Sequence, residues 1–466
     1  MSVWRFFITL GKGRFLILLL FVSCGQQEEI RLLFTGDILL SRQVKKAYEI
    51  SRTSPWEDFK PLFQTADLVI GNLEGAVGTV TETMDQSDAP FFAIDSADIS
   101  LLADAGFKVM GIENNHSYDL GEVGRQNTID QLLKNEIHPV GFTHSPYFIS
   151  VKGLVLSFVA INTVPGRNTF NNPMYSLELQ QKIRLAKSLS NIVVVSIHWG
   201  SELLEWPNKT QREAAKWLIT QGADIIIGSH PHVVQAPEMI DGKPVFFSLG
   251  NHLFDQKYPA TKKGLIAEVT IKKGKYNVKG ITTHTKPHSF YPVAVETVDY
   301  NFPNHTYHQH PLRIHEYDLV PVSVFERNET KVVLRGYANN RLQWSSFPMP
   351  LVYLTTAQLD GKETYLFALQ NYYSTIDTEI NLRPYVYAVD AQGLHAKWRG
   401  SALAHPLLDA FISPHNDRIL CALHRGDAYI ALNEKNTQTR IAAYEWNGFG
   451  FKGLPDSIAT QYCPCK

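Results

Sequence analysis

The sequence of 466 residues predicts a layered α/β domain followed by an all-β extension. From residue 31 to about 290, strand-like runs alternate with helical patterns, which is typical of α/β layers. Six of the runs are continuously apolar, as expected of strands that are buried on both faces. After about residue 336 the helical patterns stop, and aromatic-rich strand segments are separated by turn residues.

Each of the six apolar runs stops at a side chain that can bind a metal. The runs are 31–36, 67–71, 107–112, 192–197, 223–228 and 244–250. In open α/β sheets, ligands bind at the carboxyl ends of the strands. At or just after these ends stand Asp37, Asn72, Glu74, Asn114, Asn115, His116, His198, His230, His232 and Asn251. These ligands are too many for one tetrahedral zinc, so we expect a two-metal centre.

The remaining elements follow from periodicity. Helices are predicted over 96–105, 121–136, 177–190 and 211–221. Residues 265–271 and 276–283 alternate around a lysine-rich turn and predict a hairpin that closes the sheet edge. Residues 291–335 contain four prolines and a histidine cluster, and are predicted to be a connector. An all-β domain is predicted over 336–455, where strand-rich segments recur about every fifty residues. This recurrence favours a partial propeller, with a β-sandwich as the alternative.

Residues 1–24 have the pattern of a secretory signal. Basic residues precede the apolar stretch 15–22, which is too short to span a bilayer. The ending Val22-Ser23-Cys24-Gly25 resembles a bacterial lipobox, which would place a lipid on Cys24; an ordinary signal with a chance cysteine is the alternative. Residues 25–30 would form a polar tether, and the protein would be anchored in the bacterial cell envelope, outside the cytoplasmic membrane.

The other three cysteines predict no disulfide framework. Cys421, Cys463 and Cys465 are an odd number, and residues 456–466 are expected to form a frayed tail. The formal net charge is −1 and no dense Lys/Arg run is present, so composition argues against a nucleic-acid partner.

Five motifs in unbroken order resemble a known family. They are NLEG at 72–75, NNHxxDxG at 114–121, HWGxE at 198–202, GADxxIGxHPHVVQxxE at 222–238 and SLGN at 248–251. Their order and type resemble the calcineurin-like metallophosphoesterases, and more closely the CapA family of capsule (poly-γ-glutamate) synthesis proteins. The resemblance covers residues 31 to about 290 and implies a metallophosphoesterase-like α/β sandwich.

The resemblance also implies roles. Asp37 and Glu74 would be metal carboxylates, with Glu74 bridging two ions. The second ion would be held by Asn115, His198 and His230, and the first by His232; His116 would be the general acid. Gly228 is expected to let the backbone turn before His230. Residues expected to face the substrate or to support the ligands are Asn72, Asn114, Asp119, Glu202, Glu238 and Asn251.

One departure bears on the cofactor. Phosphoesterases of this superfamily usually begin with Asp-x-His, and here Leu39 stands at the third position. The first of the two divalent ions therefore has one ligand fewer and is expected to bind more weakly. Mixed amide, imidazole and carboxylate ligation suits Mn, Fe or Zn.

Two functions are compatible with these residues. The first is a lipid-anchored hydrolase or phosphoesterase that acts on an anionic capsule or envelope polymer, or on a phosphoester. The second is a non-catalytic capsule-assembly factor that binds or hands on an anionic polymer, with the all-β extension as its binding module. Turnover distinguishes the two.

Overall fold

The computed structural model describes residues 5–10, 14–19 and 29–463, apart from the segments 81–90, 168–172, 287–288, 308–311, 327–328, 375–377, 401–402, 404–405 and 426–438. Within the predicted signal segment, β1 (Arg5–Leu10) and β2 (Arg14–Leu19) form an antiparallel hairpin. Cys24 and Cys465 lie outside the described residues. In the part of the chain that the structure describes, no helix combines the length and apolarity needed to cross a membrane.

Strands and helices alternate through the first half of the α/β domain. The strands are β3 (Ile30–Ile38), β4 (Leu68–Leu73), β5 (Ala76–Val77), β6 (Ala93–Ile94), β7 (Phe107–Gly111), β8 (His138–Val140), β9 (Tyr147–Val151) and β10 (Leu154–Asn162). The helices are α1 (Arg42–Ser51), α2 (Lys60–Phe63), α3 (Ile99–Ala105) and α4 (Gly121–Lys134). The predicted helices over 96–105 and 121–136 are confirmed, with a 3₁₀ turn at Ser96–Asp98 before α3.

The second half continues this alternation and then becomes all-β. Its helices are α5 (Leu177–Leu189) and α6 (Lys209–Gln221), both confirming predictions. Its strands are β11 (Ile192–His198), β12 (Ile225–Ser229), β13 (Val234–Gln235), β14 (Glu238–Ile240), β15 (Lys243–Phe246), β16 (Ser248–Leu249), β17 (Asn251–Leu253), β18 (Lys263–Lys272), β19 (Lys275–Thr285), β20 (Pro292–Val298) and β21 (His305–Thr306).

Two stacked sheets form the centre of this domain. The first has the order β20-β19-β18-β3-β4-β7-β8, with β17 and β21 paired to β3 and β19. The second has the order β14-β15-β12-β11-β10-β9. Strands β3, β4, β7 and β8 run parallel, as do β10, β11, β12 and β15.

Side-chain alternation assigns each strand residue to a layer. In β3, Leu32 and Phe34 pack into the core between the two sheets, whereas Leu33 packs under α1, α3 and α4. In β11, Val194 enters the same central core and Val193 packs under α5 and α6. Because both faces of each strand are covered, the runs are apolar throughout. The predicted layered α/β sandwich is confirmed.

Three four-stranded antiparallel meanders follow. The first consists of β22 (Arg313–Ile314), β23 (Tyr317–Glu326), β24 (Glu329–Ala338) and β25 (Arg341–Ser345). The second consists of β26 (Leu351–Ala357), β27 (Tyr365–Tyr373), β28 (Ile380–Asp390) and β29 (Gly393–Arg399). The third consists of β30 (Leu407–Ser413), β31 (Asn416–Arg425), β32 (Thr439–Trp446) and β33 (Phe451–Gly453). The all-β extension is therefore confirmed, and each meander has the size of a propeller blade.

The segment predicted to be a connector is structured instead. Within 291–335, β20 joins the first sheet outside β19, so the β18–β19 hairpin does not form its edge. The first meander also begins here, and Pro321 lies inside β23. Of the histidine cluster, His305 is buried against Tyr276, while His308 and His310 lie outside the described residues.

The prediction of an unpaired, frayed tail is wrong. Helix α7 (Asp456–Tyr462) packs on the last sheet through Ala459. This packing brings Cys463 to Cys421 in β31, and a disulfide joins them across a separation of 42 residues. An odd number of cysteines excludes complete pairing but does not exclude one bond.

Replacing Cys463 by Ser is expected to lower the free energy of unfolding by about 2–4 kcal/mol, because a loop of this length is no longer closed in the unfolded chain. Urea unfolding measured with and without reductant checks this. The parent should lose the same stability on reduction, and Cys465→Ser serves as the matched control that keeps the bond. Equal stability of Cys463→Ser and the oxidised parent would contradict the prediction.

Candidate metal centre

Strand ends from both sheets bring the predicted ligands to one place. Asp37 lies near the end of β3, Glu74 directly follows β4, and His198 ends β11. His230 and His232 follow β12, and the loop after β7 contributes Asn114, Asn115 and His116. Parallel pairing sets these ends side by side: Asp37 is in register with Asn72 and with Asn251, and His198 with Ser229.

Two carboxylates are buried at the centre of the site. Asn72 Nδ2 donates to Asp37 Oδ1 over 2.8 Å, and the His230 backbone N–H donates to Asp37 Oδ2 over 3.2 Å. Neither oxygen of Glu74 has a hydrogen-bond partner among the described residues. Burial raises the pKa of Glu74 well above its ordinary value, and the nearby His232 opposes that rise. A buried carboxylate without donors is an environment that a bound cation completes.

His232 lies between the two carboxylates. Its Nδ1 is 2.9 Å from Asn251 Oδ1 and 3.3 Å from Asp37 Oδ2, and its Nε2 is 3.6 Å from Glu74 Oε1. Burial alone would lower the pKa of His232, but Glu74 and Asp37 raise it to about 9. A metal would displace the proton from Nε2, while Nδ1–H continues to donate to Asn251 and fixes the tautomer that binds metal. Asn251 therefore supports a ligand and does not face the substrate.

His198 and His230 form the other side of the site. His198 Nδ1 lies 2.9 Å from Ser229 Oγ, and its Nε2 lies 2.9 Å from Asn115 Oδ1, so these two candidate ligand atoms are adjacent. The His230 ring centre is 4.8 Å from that of His198. Burial lowers the pKa of His198 well below its ordinary value and that of His230 to about 4. Both imidazoles are therefore neutral at pH 7, the form that binds metals.

The backbone that presents these histidines is strained. His230 has a φ of 94° and His232 a φ of 59°, values that favour glycine. The turn is thus made at the histidines and not at Gly228, which corrects the sequence prediction. Gly228 is required because a Cβ there would lie 2.0 Å from the Phe247 carbonyl oxygen.

The ligand atoms fall into two groups of three. Those of Asp37, Glu74 and His198 lie within 4.8 Å of one another, and so do those of Glu202, His230 and His232. This division differs from the one that the family resemblance implies, in which His198 and His230 share an ion. The ring centres of His198 and His230 are 4.8 Å apart and those of His230 and His232 are 6.0 Å apart, which is compatible with either division of the ligands. In both, the residues present fit a divalent cation, and Glu202 is added to the donor set.

Leu39 occupies the position where a phosphoesterase would have a further histidine. It is fully buried in an apolar cluster with Phe92 and Phe254. The Phe254 ring centre is 4.6 Å from that of His232. One wall of the site is therefore apolar, and Glu202, on the solvent side, is the nearest carboxylate that can complete the ligand set.

His116 lies beside the ligands in a fixed orientation. Its Nδ1 is 2.9 Å from Asp119 Oδ2, and its ring stacks on Phe92 with centres 3.6 Å apart. Asp119 Oδ2 also accepts from the Phe92 backbone N–H over 2.8 Å. Asn114 holds the same loop by donating to the Leu73 carbonyl oxygen over 2.8 Å. Asp119 and Asn114 thus position His116, whose Nε2 remains for the cavity.

A cavity of about 360 Å³ opens above these residues. It is lined by Asn115, His116, Asp119, Glu202 and His232, together with Arg42, Phe92, Pro165, Gly166, Arg167, Phe254 and Gln256. Arg42 and Arg167 are absent from the sequence-based site, because neither ends an apolar run. Glu238, which was predicted to face the substrate or to support the ligands, pairs with Arg212 at 2.6 Å and does not line this cavity.

Comparison with known proteins gives relatives for the α/β domain. The family described as bacterial capsule synthesis protein PGA_cap matches residues 31–256. PGA biosynthesis protein CapA of Bacillus subtilis (strain 168) is 31% identical over 270 residues, which are 54% of this chain and 71% of that protein. Capsule biosynthesis protein CapA of Bacillus anthracis is 28% identical over 269 residues, covering 53% of this chain and 65% of that protein.

Solved structures give weaker likenesses. A novel phosphatase from Mycoplasma pneumoniae has a TM-score of 0.34 at 13% identity, covering 59% of this chain and 96% of its own. A putative 5'-nucleotidase from Staphylococcus aureus has a TM-score of 0.32 at 13% identity, covering 62% of this chain and 56% of its own. Scores of this size support no statement about activity.

Replacing His230 by Ala is expected to reduce the amount of tightly bound metal, because one ligand is lost. Replacing Asn251 by Leu should weaken metal binding by roughly 10–100-fold, since His232 loses the partner that fixes its tautomer. Mass spectrometry of the metal content after dialysis against Mn²⁺ measures both. Glu238→Gln, which changes a carboxylate outside the cavity, is the control. Unchanged metal content in His230→Ala would refute the site.

Proposed function

The chain belongs to the bacterial capsule synthesis protein PGA_cap family, and on that premise we propose that it is a metal-dependent hydrolase of an anionic envelope polymer or phosphoester. The observation that carries this proposal is the pair of buried carboxylates beside neutral imidazoles and an oriented His116. A protein that only holds a polymer has no need of a proton donor fixed at the edge of a metal site. The substrate and the reaction are our proposal for this chain.

Two divalent ions, Mn, Fe or Zn, are the proposed cofactors. Asp37, Glu74, His198, His230 and His232 would hold them, with Asn115 and Glu202 completing the donor set. Ions in such a site lower the pKa of water and offset the negative charge that develops on a phosphoryl or carbonyl group. The family resemblance places one ion at the position where Leu39 replaces a histidine, and that ion would bind more weakly unless Glu202 takes the place of the missing ligand.

His116 has the position of a general acid. In hydrolysis, a water oxygen bonds to the phosphorus or carbonyl carbon as the bond to the leaving oxygen or nitrogen breaks. That leaving atom needs a proton, and His116, which lines the cavity and contacts Asp119 through Nδ1, would supply it from Nε2. Asp119 holds the ring through Nδ1, and Phe92 supports its face, so the proton is delivered from a fixed direction.

Replacing His116 by Asn is expected to retain bound metal and to lower hydrolysis by roughly 10²–10⁴-fold, the usual effect of losing a general acid. A screen of phosphodiester and γ-glutamyl peptide substrates with added Mn²⁺ measures the rate, and metal analysis measures the content. His395→Asn removes an exposed histidine of β29 and is the matched control. Retained turnover in His116→Asn would exclude this role.

A second candidate function is binding without turnover. A cavity of about 390 Å³ in the all-β extension is lined by Phe347, Tyr372, Tyr385, Tyr387 and Arg399, among other residues. The Arg399 guanidinium can bind a negative charge, and the aromatic side chains add apolar contact area for an elongated ligand. Normal capsule formation in cells whose protein lacks both metal and hydrolysis would favour this candidate over the hydrolase.

We also propose that the protein is anchored through a lipid on Cys24, outside the cytoplasmic membrane. The signal-like residues 1–24 support this location. The Cys421–Cys463 disulfide supports it independently, because such bonds persist in oxidising compartments.

Replacing Cys24 by Ser is expected to move the protein out of the membrane fraction, because the acyl chains of a lipoprotein are what hold it there. Fractionation of cells and incorporation of labelled palmitate measure the two steps. Cys465→Ser is the control, since it removes a cysteine that is remote from the signal sequence. An unlabelled parent, or a variant that stays in the membrane, would contradict the anchor.

A further inference from the structure

We propose that Arg42 and Arg167 form an anion clamp at the mouth of the metal cavity, which binds an acidic group of the substrate other than the group that reacts. The ligand chemistry is a carboxylate or a phosphate. This inference rests on the proposed function and narrows its substrate class to molecules that carry a second negative charge next to the scissile bond.

Arg42 is held in place by three features of the fold. Its φ of 57° is a left-handed conformation that non-glycine residues rarely adopt, and such strain is concentrated at functional sites. Its Nη2 lies 3.1 Å from Oδ1 of Asp255, a carboxylate whose side chain is 1% exposed. Its guanidinium lies 5.1 Å from the centre of the Phe92 ring. The Arg42 side chain itself is 37% exposed, so it can meet a ligand.

Arg167 reaches the same cavity from the other sheet, on the loop after β10. Asn162 shapes the start of this loop by bonding both the N–H and the carbonyl oxygen of Val164 over 3.0 Å. At Gly166 an added Cβ would lie 1.9 Å from the Asn115 carbonyl oxygen, so only glycine lets the loop press against this candidate ligand. The Arg167 guanidinium then lies 4.1 Å from the centre of the Phe91 ring.

The two arginines are thus supported by adjacent phenylalanines. A guanidinium that packs its face on a ring directs its N–H donors outward in its own plane, the geometry that carboxylates and phosphates accept in pairs. Phe92 contacts the Arg42 guanidinium and also stacks on His116. The Arg42 side of the clamp therefore lies one aromatic ring away from the proposed proton donor.

Charge in the cavity agrees with this assignment. Of its two carboxylates, Asp119 is paired with His116, and Glu202 lies within ligand distance of His230 and His232. Arg42 and Arg167 are the cationic side chains that line it. A substrate whose negative charge is confined to the reacting group would bind through the metals alone and would not require cationic side chains at the mouth of the cavity.

The test measures binding of short probes to the full-length, metal-loaded protein. The probes are an oligomer of γ-linked glutamate, the corresponding neutral oligomer of γ-linked glutamine, and a glycerol-phosphate oligomer. Arg42→Gln and Arg167→Gln are each expected to weaken binding of an anionic probe by roughly 10–100-fold. Arg42→Lys, which keeps a cation beside Asp255, should bind with intermediate affinity. The neutral probe should bind weakly and equally to all variants.

Arg212→Gln is the matched control, because Arg212 is also ion-paired and lies over a phenylalanine ring, but outside the cavity. Melting temperature and metal content identify any variant that fails to fold. If one of the two Gln variants fails to fold, the binding result of the other variant decides whether the clamp exists. Tighter binding of the glutamate probe would identify the group bound by the clamp as a carboxylate. Tighter binding of the glycerol-phosphate probe would identify it as a phosphate.

Equal affinity of the parent and both Gln variants for the anionic probes would overturn the clamp. Its failure differs from that of the proposed function. Hydrolysis that is indifferent to both arginines leaves the hydrolase and removes the clamp. Charge-selective, arginine-dependent binding without any hydrolysis keeps the clamp and removes the catalytic proposal. Where hydrolysis is found, loss of either arginine should raise KM for an anionic substrate with little change in kcat.

Discussion

The burial of Asp37 and Glu74 in one place is the constraint on which the site depends. Charged carboxylates are costly to bury unless donors or cations surround them. The fold supplies Asp37 with an amide and a backbone N–H, and places His232 between both carboxylates, but no described residue donates a hydrogen bond to Glu74. The neutral imidazoles of His198 and His230 add lone pairs and no charge. The arrangement is therefore incomplete as protein alone, and a divalent cation is the group that completes it.

Close backbone approach is the second requirement. A Cβ at Gly36 would lie 1.9 Å from the Gly250 carbonyl oxygen, and the Asp37 N–H donates to that same oxygen over 3.0 Å. Strand β17 can therefore lie against β3 and bring Asn251 beside Asp37. At His230 and His232 the chain instead accepts strained φ angles. The positions of the candidate ligands are therefore fixed by close backbone packing and by strained φ angles, and the surrounding sheets maintain both.

The sequence predicts most of the ligand set because parallel strands bring their ends together whatever their order. Residues 154–161 are a further apolar run, which forms most of β10 and stops at Asn162, where the loop to Arg167 begins. This run is not among the six from which the site was predicted. Arg42 and Arg167 carry no local signal, since tertiary packing alone delivers them to the cavity. The disulfide and the first meander were missed for a similar reason: α7 docking pairs the cysteines, and β23 tolerates Pro321.

The pairing of β3 with β18 also governs how the protein folds. Arg31 and Glu268, which form an ion pair between these neighbouring strands, are 237 residues apart in the chain. Contacts between residues so far apart in the sequence form slowly, because the chain loses the entropy of closing the loop before the contact stabilises it. Asp37 lies on this same strand, so a chain that has folded only locally contains ligands but no site. The candidate ligands therefore come together only after β3 has paired with β18, late in folding.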